Sequence, residues 1–204
     1  MQPELAALVI HDLKNALITL EAELDSLRHK SDRRLAAQAH ARCAAMRGRF
    51  MTFLTLYGSD GELHAHADDE SPQAFLSSIV KSVERTRAGA TPLVSASPCA
   101  AAPMFWYFDV RLVRMALDAA LHNAMRFARR TVVLDAREDS GHLVFSVDDD
   151  GPGIGSVDLC RTSTGLGTTL SRAVAHAHAT AGRSGDVRLF NRPDGGARFE
   201  LWLA

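Results

Sequence analysis

Residues 8–17 read LVIHDLKNAL, and in this otherwise apolar stretch His11, Asp12, Lys14 and Asn15 stand together. Histidine titrates nearest neutral pH, and its unprotonated ring nitrogen is a nucleophile. A neighbouring carboxylate such as Asp12 can hold one ring nitrogen as a donor and leave the other free to attack. Asn15, four residues on, shares a helix face with His11. A lone helical histidine with incidental polar neighbours has the same composition.

Three further stretches have types and spacings suited to chemistry. VDDDGPGIG, residues 147–155, ends a strand-like run with three acids and then places Gly151, Gly153 and Gly155. Glycines let a backbone approach a ligand closely, and a carboxylate at a strand end can accept a hydrogen bond from an exocyclic amine. A plain acidic turn has the same composition. STGLGTTL, residues 163–170, is a glycine loop opening a helix, where free N–H groups and the helix dipole favour phosphate. LHNAMRF, residues 121–127, sets Asn123 and Arg126 on one side of a helix, able to supply a metal-ligand oxygen and a phosphate contact. Ordinary surface polar residues look alike.

The elements that must position these groups follow from periodicity. From Pro3 to about Arg28, apolar residues recur every three or four positions, with Pro3 in the first turn of the expected helix. HKSD interrupts the pattern with a cap at Ser31 or Asp32, and Leu35 to Tyr57 resume it. Two helices joined by so short a loop lie antiparallel. Their inward stripes are wide and rich in Leu and Ala, so pairing with a second hairpin in a four-helix bundle, and hence a homodimer, is expected; packing on the rest of the same chain is the alternative. The polar stretch 57–72 marks the boundary, giving a hairpin domain over 1–58 and a second domain over 59–204.

In the second domain SPQAFLSSIVKSVERT reads as a helix, PLVSAS and MFWYF as strands, and the run from Asp109 as a long helix. RTVVLDARE and GHLVFSVDDDG flank a hairpin turn, TGLGTTLSRAVAHAHA is a loop entering a helix, and DVRLFNR and ARFELWLA form a last strand pair. Helices and strands mix without regular alternation, so the fold class is α+β, with helices on one face of a sheet.

Composition narrows the function classes. Twenty-three Lys and Arg against 24 Asp and Glu give a net charge of −1, so no global field favours nucleic acid or an anionic membrane. Cys43, Cys99 and Cys160 form no C-x-x-C pair, which fits a reducing cytoplasm rather than a disulfide framework. No apolar run approaches the roughly 20 residues of a bilayer span. His64, His66, His122, His176 and His178 suggest no zinc site, since 176 and 178 diverge on a helix and no third ligand is evident. The arginines at 33, 34, 42, 47 and 49 form a solvated face on which an acidic partner domain could dock.

The order of the four stretches is more specific than any one of them. HDLKN, then H-N-A, then D-D-G-P-G-I, then T-G-L-G before a helix, resembles the catalytic core of two-component histidine kinases across nearly the whole chain. That family joins a dimerisation and histidine-phosphotransfer hairpin to an ATP-binding α/β sandwich shared with gyrase and a heat-shock chaperone. The resemblance implies that His11 is the phosphoacceptor, Asp12 its adjacent acid, and Asn15 the residue that orients a water attacking a partner's phosphoaspartate. It implies that Asn123 binds magnesium, that Arg126 is the basic residue after it, and that Asp149 binds the adenine amino group. Gly151, Gly153, Gly165, Leu166 and Gly167 match the residues lining ATP. The implied partner is the receiver domain of a response regulator.

The chain departs from the family pattern at four places. Ala119 stands where the long helix usually carries a first Asn, Ser163 where the second glycine loop begins, and His178, Ala179, Thr180 where His-Gly-Gly is usual. The stretch from Gly155 to Thr164, expected to be the lid over the nucleotide, is short and lacks the phenylalanine box. Ten residues precede His11, which leads to the expectation of a kinase regulated by a separate sensor protein or of a piece of a longer chain. Two functions compete: an ATP-dependent histidine kinase, and a histidine phosphotransferase or receiver-binding adaptor whose ATP domain has become structural.

Overall fold

The computed structural model describes residues 17–22, 39, 43, 63–86, 92–97, 101–155 and 165–204. Two compact units divide the chain, with the main boundary between Glu62 and Leu63. In the first, residues 17–22, 39 and 43 are helical, inside the two helices that the periodicity indicates. His11, Asp12 and Asn15 lie outside the described residues.

The second unit is built on a five-stranded sheet. Its strands are β2 (Leu93–Ala96), β4 (Thr131–Asp139), β5 (His142–Asp149), β6 (Asp186–Asn191) and β7 (Ala197–Leu203), in the order β2-β4-β5-β7-β6. Only the β2–β4 pair is parallel. β4 and β5 form a hairpin with Asp139 opposite His142, and the two residues between them, Ser140 and Gly141, both have positive φ. Such a turn matches the natural twist of the strands it joins.

Alternation decides what each strand contributes. Val132, Leu134 and Ala136 of β4, Leu143, Phe145 and Val147 of β5 and Leu201 and Leu203 of β7 are buried and share one sheet face by register. The helices α1 (Pro72–Thr86), α2 (Val110–Phe127) and α3 (Leu166–Ala177) supply the other half of this core, with Phe75, Leu76 and Ile79 from α1, seven buried residues from Leu112 to Ala124 of α2, and Leu170 and Val174 from α3. Phe75, Phe108 and Phe145 meet edge to face, with centroids 5.4 to 5.6 Å apart. Each such pair contributes about 0.5–1.5 kcal/mol beyond the area it buries. An α/β sandwich with its helices on one face is therefore the fold, as the mixed pattern indicates.

The opposite face of the sheet is polar and tightly paired. Glu200, 3% exposed, accepts hydrogen bonds from the Arg137 guanidinium and the Trp202 indole, both at 3.0 Å. The Arg188 guanidinium stacks on Trp202 at 3.9 Å from the ring centroid, and Arg198 holds Asp148 through Nε at 2.7 Å. Long arginine stems thus cover the face opposite the three helices of this unit.

One strand escapes the periodicity. β1 (Asp68–Glu70) falls in the polar stretch 57–72 and pairs antiparallel with β3 (Trp106–Phe108), Glu70 opposite Trp106. Its three residues are all acidic and give no alternating signal, so only the partner strand defines it. No helix among the described residues is long and apolar enough to cross a membrane.

Asp109 and His178 lock α2 to the end of α3. The Asp109 carboxylate caps α2 by accepting the N–H groups of Arg111 (2.9 Å) and Leu112 (3.2 Å), and it also accepts the His66 N–H (3.0 Å). The Asp109 N–H donates to Nε2 of His178 (2.9 Å), whose Nδ1–H donates to the Val174 carbonyl (2.7 Å). Both ring nitrogens are used as only the neutral ring allows. Burial pushes the His178 pKa below its ordinary 6.5, against the opposing effects of the Val174 carbonyl and the Asp109 charge. A histidine pKa lowered by folding adds stability that is present above the unfolded value and is lost as pH falls through the folded one. Thermal unfolding should therefore lose stability as pH drops below about 6.5. His178→Gln, which keeps one donor and one acceptor but does not titrate, should flatten that limb; an unchanged slope would assign it to another group.

Candidate functional site

The three acids point in three directions, because alternation along β5 sends Asp148 and Asp149 to opposite faces and Asp150 lies beyond the strand's end. Asp148 faces the polar side of the sheet, beside Arg198 and with Arg192 Nε 3.6 Å away. Asp150 turns outward and accepts the N–H groups of Arg129 (2.8 Å), Arg130 (3.0 Å) and Thr131 (3.2 Å). The bonds from Arg130, Thr131 and Arg129 hold its pKa below the usual carboxylate range. Asp150 thereby fastens the loop after β5 to the turn between α2 and β4.

Asp149, 7% exposed, is the acid on the helix side. Its Oδ1 accepts the N–H of Gly151 (2.8 Å) and of Ala197 (3.3 Å), while no donor among the described residues reaches Oδ2. A buried carboxylate is held by hydrogen bonds or is costly, so an oxygen left open is an acceptor awaiting a donor. An exocyclic amine fits that role.

The glycines set the walls. A side chain on Gly151 would start 2.6 Å from the Phe127 carbonyl, so only glycine lets this loop lie against the end of α2. Gly153 and Gly155 continue the loop with φ of +85° and +86°. At the start of α3, a Cβ on Gly167 would lie 3.4 Å from that of Ala119 on α2. Gly165 (φ +67°) and the buried Leu166 lead into that helix. The loop after β5 and the start of α3 thus both border α2, at Phe127 and at Ala119.

Asn123 lies midway between those two positions, four residues from each and so on the same helix face. It is exposed, and its side-chain amide bonds to no other described residue. Arg126 is also exposed, in the last turn of α2, its guanidinium 5.1 Å from the Phe127 ring centroid. The second unit therefore brings Asp149, Gly151, Asn123 and Gly167 around one face of α2. The open Asp149 oxygen and the glycine-lined backbone fit an adenine nucleotide, and the amide oxygen of Asn123 is of the type that holds magnesium. Ala119 brings no oxygen to that face. Residues 156–164, the expected lid, lie outside the described residues.

Two side chains that carry no functional signal in the sequence also touch this loop. Asn191 accepts the Ile154 N–H (2.5 Å) and donates to the Ile154 carbonyl (3.4 Å), and Arg192 Nη1 donates to the Asp149 carbonyl (3.1 Å). They belong to the N-R-P-D-G-G turn, which reads as a hairpin and shows no local sign of a second role.

Comparison with known proteins agrees with this geometry. Residues 108–204 match the family described as histidine kinase-, DNA gyrase B- and HSP90-like ATPase. The sensor protein RstB of Escherichia coli (strain K12) is 25% identical over 211 residues, covering 95% of this chain and 46% of RstB, so the chain spans about half the length of that relative. Among solved structures, the Acinetobacter baumannii histidine kinase AdeS superposes with a TM-score of 0.67 at 19% identity, covering 95% of this chain and 97% of AdeS. The histidine kinase ThkA, in complex with the response regulator protein TrrA, gives a TM-score of 0.70 at 14% identity over 98% of this chain and 61% of ThkA. Residues 108–204 thus match the histidine kinase-, DNA gyrase B- and HSP90-like ATPase family, and the chain shares its fold with the histidine kinases AdeS and ThkA.

Proposed function

We propose that this protein is a histidine autokinase that phosphorylates His11 from ATP and passes the phosphoryl group to an aspartate of a response-regulator receiver domain in the cytoplasm. The observation that supports it most is Asp149, buried at the end of β5 with Oδ1 held by two N–H groups and Oδ2 open to an adenine amine. Around it, backbone N–H groups at the start of α3 bind phosphate oxygens, and Arg126 adds positive charge. Asn123 holds magnesium, which when bound neutralises phosphate charge.

The transfer needs positioning more than covalent machinery. A ring nitrogen of His11 attacks the γ-phosphorus, an N–P bond forms as the bond to the β–γ bridging oxygen breaks, and ADP leaves. Asp12 holds the other ring nitrogen as a donor and stabilises the charge that the ring gains. The order of HDLKN before the ATP domain supports this pairing of donor and acceptor sites. Incubation with γ-labelled ATP and magnesium should give acid-labile, alkali-stable label that is absent in His11→Ala and strongly reduced in Asp149→Ala.

A second reading is favoured by Ala119, which faces the start of α3 without a side-chain oxygen. Here the hairpin is a phosphotransferase or receiver-binding adaptor and the ATP domain is structural. Absence of label together with absence of any ATP-induced thermal shift would select it, since a ligand at a hundredfold its Kd stabilises by about 2.7 kcal/mol.

Both readings use Asn15 and a dimer. Asn15, four residues after His11 in the sequence, orients water for hydrolysis of the receiver's phosphoaspartate; Asn15→Ala should slow that release at least tenfold, and an unchanged rate removes the role. The wide apolar stripes of the hairpin pair between two copies. Light scattering at micromolar concentration should give twice the chain mass of 22.1 kDa, and a single-chain mass would contradict the bundle.

A further inference from the structure

We propose that the tip of the β6–β7 hairpin, residues 191–197, is a positioning element for nucleotide recognition: it sets the Asp149 carboxylate and pins the loop after β5 at Ile154. The inference rests on Asp149 receiving an adenine amine, as proposed above. Three features of the tip reach Asp149 itself. A Cβ on Gly196, whose φ is +82°, would fall 1.9 Å from the Asp149 carbonyl, so the backbone of the tip lies directly on the Asp149 peptide. The Ala197 N–H takes Oδ1 (3.3 Å), and Arg192 Nη1 donates to the carbonyl (3.1 Å) while its Nε lies 3.6 Å from Asp148. One guanidinium therefore touches the main chain of residue 149 and the side chain of residue 148.

Asn191 acts at the other end of the loop. Its amide accepts the Ile154 N–H and donates to the Ile154 carbonyl, the pattern of a strand neighbour made by a side chain. The loop from Asp149 to Ile154 is thus held at both ends by one short hairpin.

The hairpin does not need these side chains for itself. Its turn is closed by main-chain bonds, from Arg192 N–H to the Gly196 carbonyl (3.0 Å) and from Gly195 N–H to the Arg192 carbonyl (3.1 Å), and Asn191 already pairs with Ala197. Nor does burial fix them, since Asn191 is exposed and Arg192 half-buried. Their side-chain bonds go to the loop that carries the adenine-facing acid. With Oδ1 and the carbonyl both engaged, Oδ2 is aimed by constraint rather than by chance rotation. Loss of Arg192 releases the carbonyl and lets the carboxylate turn, which affects a base with an amine and hardly touches one without it.

Calorimetric titration of the full chain with ATP and with ITP, whose base lacks the exocyclic amine, tests this. The unmodified protein should prefer ATP. Arg192→Ala should weaken ATP about tenfold and ITP little, collapsing the preference, in line with the loss of an interaction to a charged group. Arg192→Lys, which keeps a donor for the Asp149 carbonyl, should restore most of it. Asn191→Ala should weaken both nucleotides several-fold with an unchanged melting temperature in the absence of ligand. If the unmodified protein prefers ATP and the variants bind both nucleotides as it does, the inference fails alone. Equal weakening of both nucleotides in Arg192→Ala, accompanied by a lower ligand-free melting temperature, assigns Arg192 to stability and overturns it. If the unmodified protein binds neither nucleotide, or binds both alike, the adenine contact itself fails and this inference falls with it.

Discussion

A carboxylate taken out of water must find hydrogen bonds where it sits or give up its charge. Asp149 meets that demand with one oxygen only. Everything near it serves the half-met condition: a central strand that delivers the residue, a glycine that brings the next loop against α2, and a hairpin that meets its carbonyl. Oδ2 stays open among the described residues, while the two neighbouring acids have donors of their own, the N–H groups of Arg129, Arg130 and Thr131 for Asp150 and the Arg198 guanidinium for Asp148. Three acids in succession look redundant as sequence, yet each occupies a separate set of donors.

The sheet makes this division possible. Its helix side is aromatic and aliphatic, with three phenylalanine rings in mutual contact, and its other side is a layer of arginine, acid and tryptophan. A strand running between two such layers has no freedom to slip, since one step of register would exchange the core set for the charged set. The placement of Asp149 follows from that fixed register. At the far end of the helices, Asp109 and His178 perform the corresponding task with a cap and a neutral imidazole.

Much of this architecture is legible in the amino-acid sequence. The helices α1, α2 and α3 and the hairpins β4–β5 and β6–β7 lie where apolar periodicity and turn residues indicate, because the elements are long enough to show a period. Asp109 reads as a helix start for the same reason that it is one: a short acidic side chain before an apolar run caps free N–H groups. The glycine loops and Asn123 stand out by order along the chain. What stays hidden is whatever depends on a distant partner. β1 is three acids defined by pairing with residues 106–108, and the bonds from Asn191 and Arg192 to residues 154 and 149 span about forty positions. Composition alone does not say which of Asp148, Asp149 and Asp150 faces inward; the family motif singles out Asp149, and the register of β5 against β4 puts it on the helix side.

The two anchors at Ile154 and Gly167 bear on how such a protein changes over generations. Ile154 is tied to Asn191 and Gly167 rests near Ala119, so both residues are anchored on the second unit. The entropy of closing a flexible loop rises only with the logarithm of its length, about 0.6 kcal/mol for each doubling. Insertions and deletions between two such anchors are therefore nearly silent for the fold. Length there is free to drift, in a domain whose register and buried acids tolerate almost no variation.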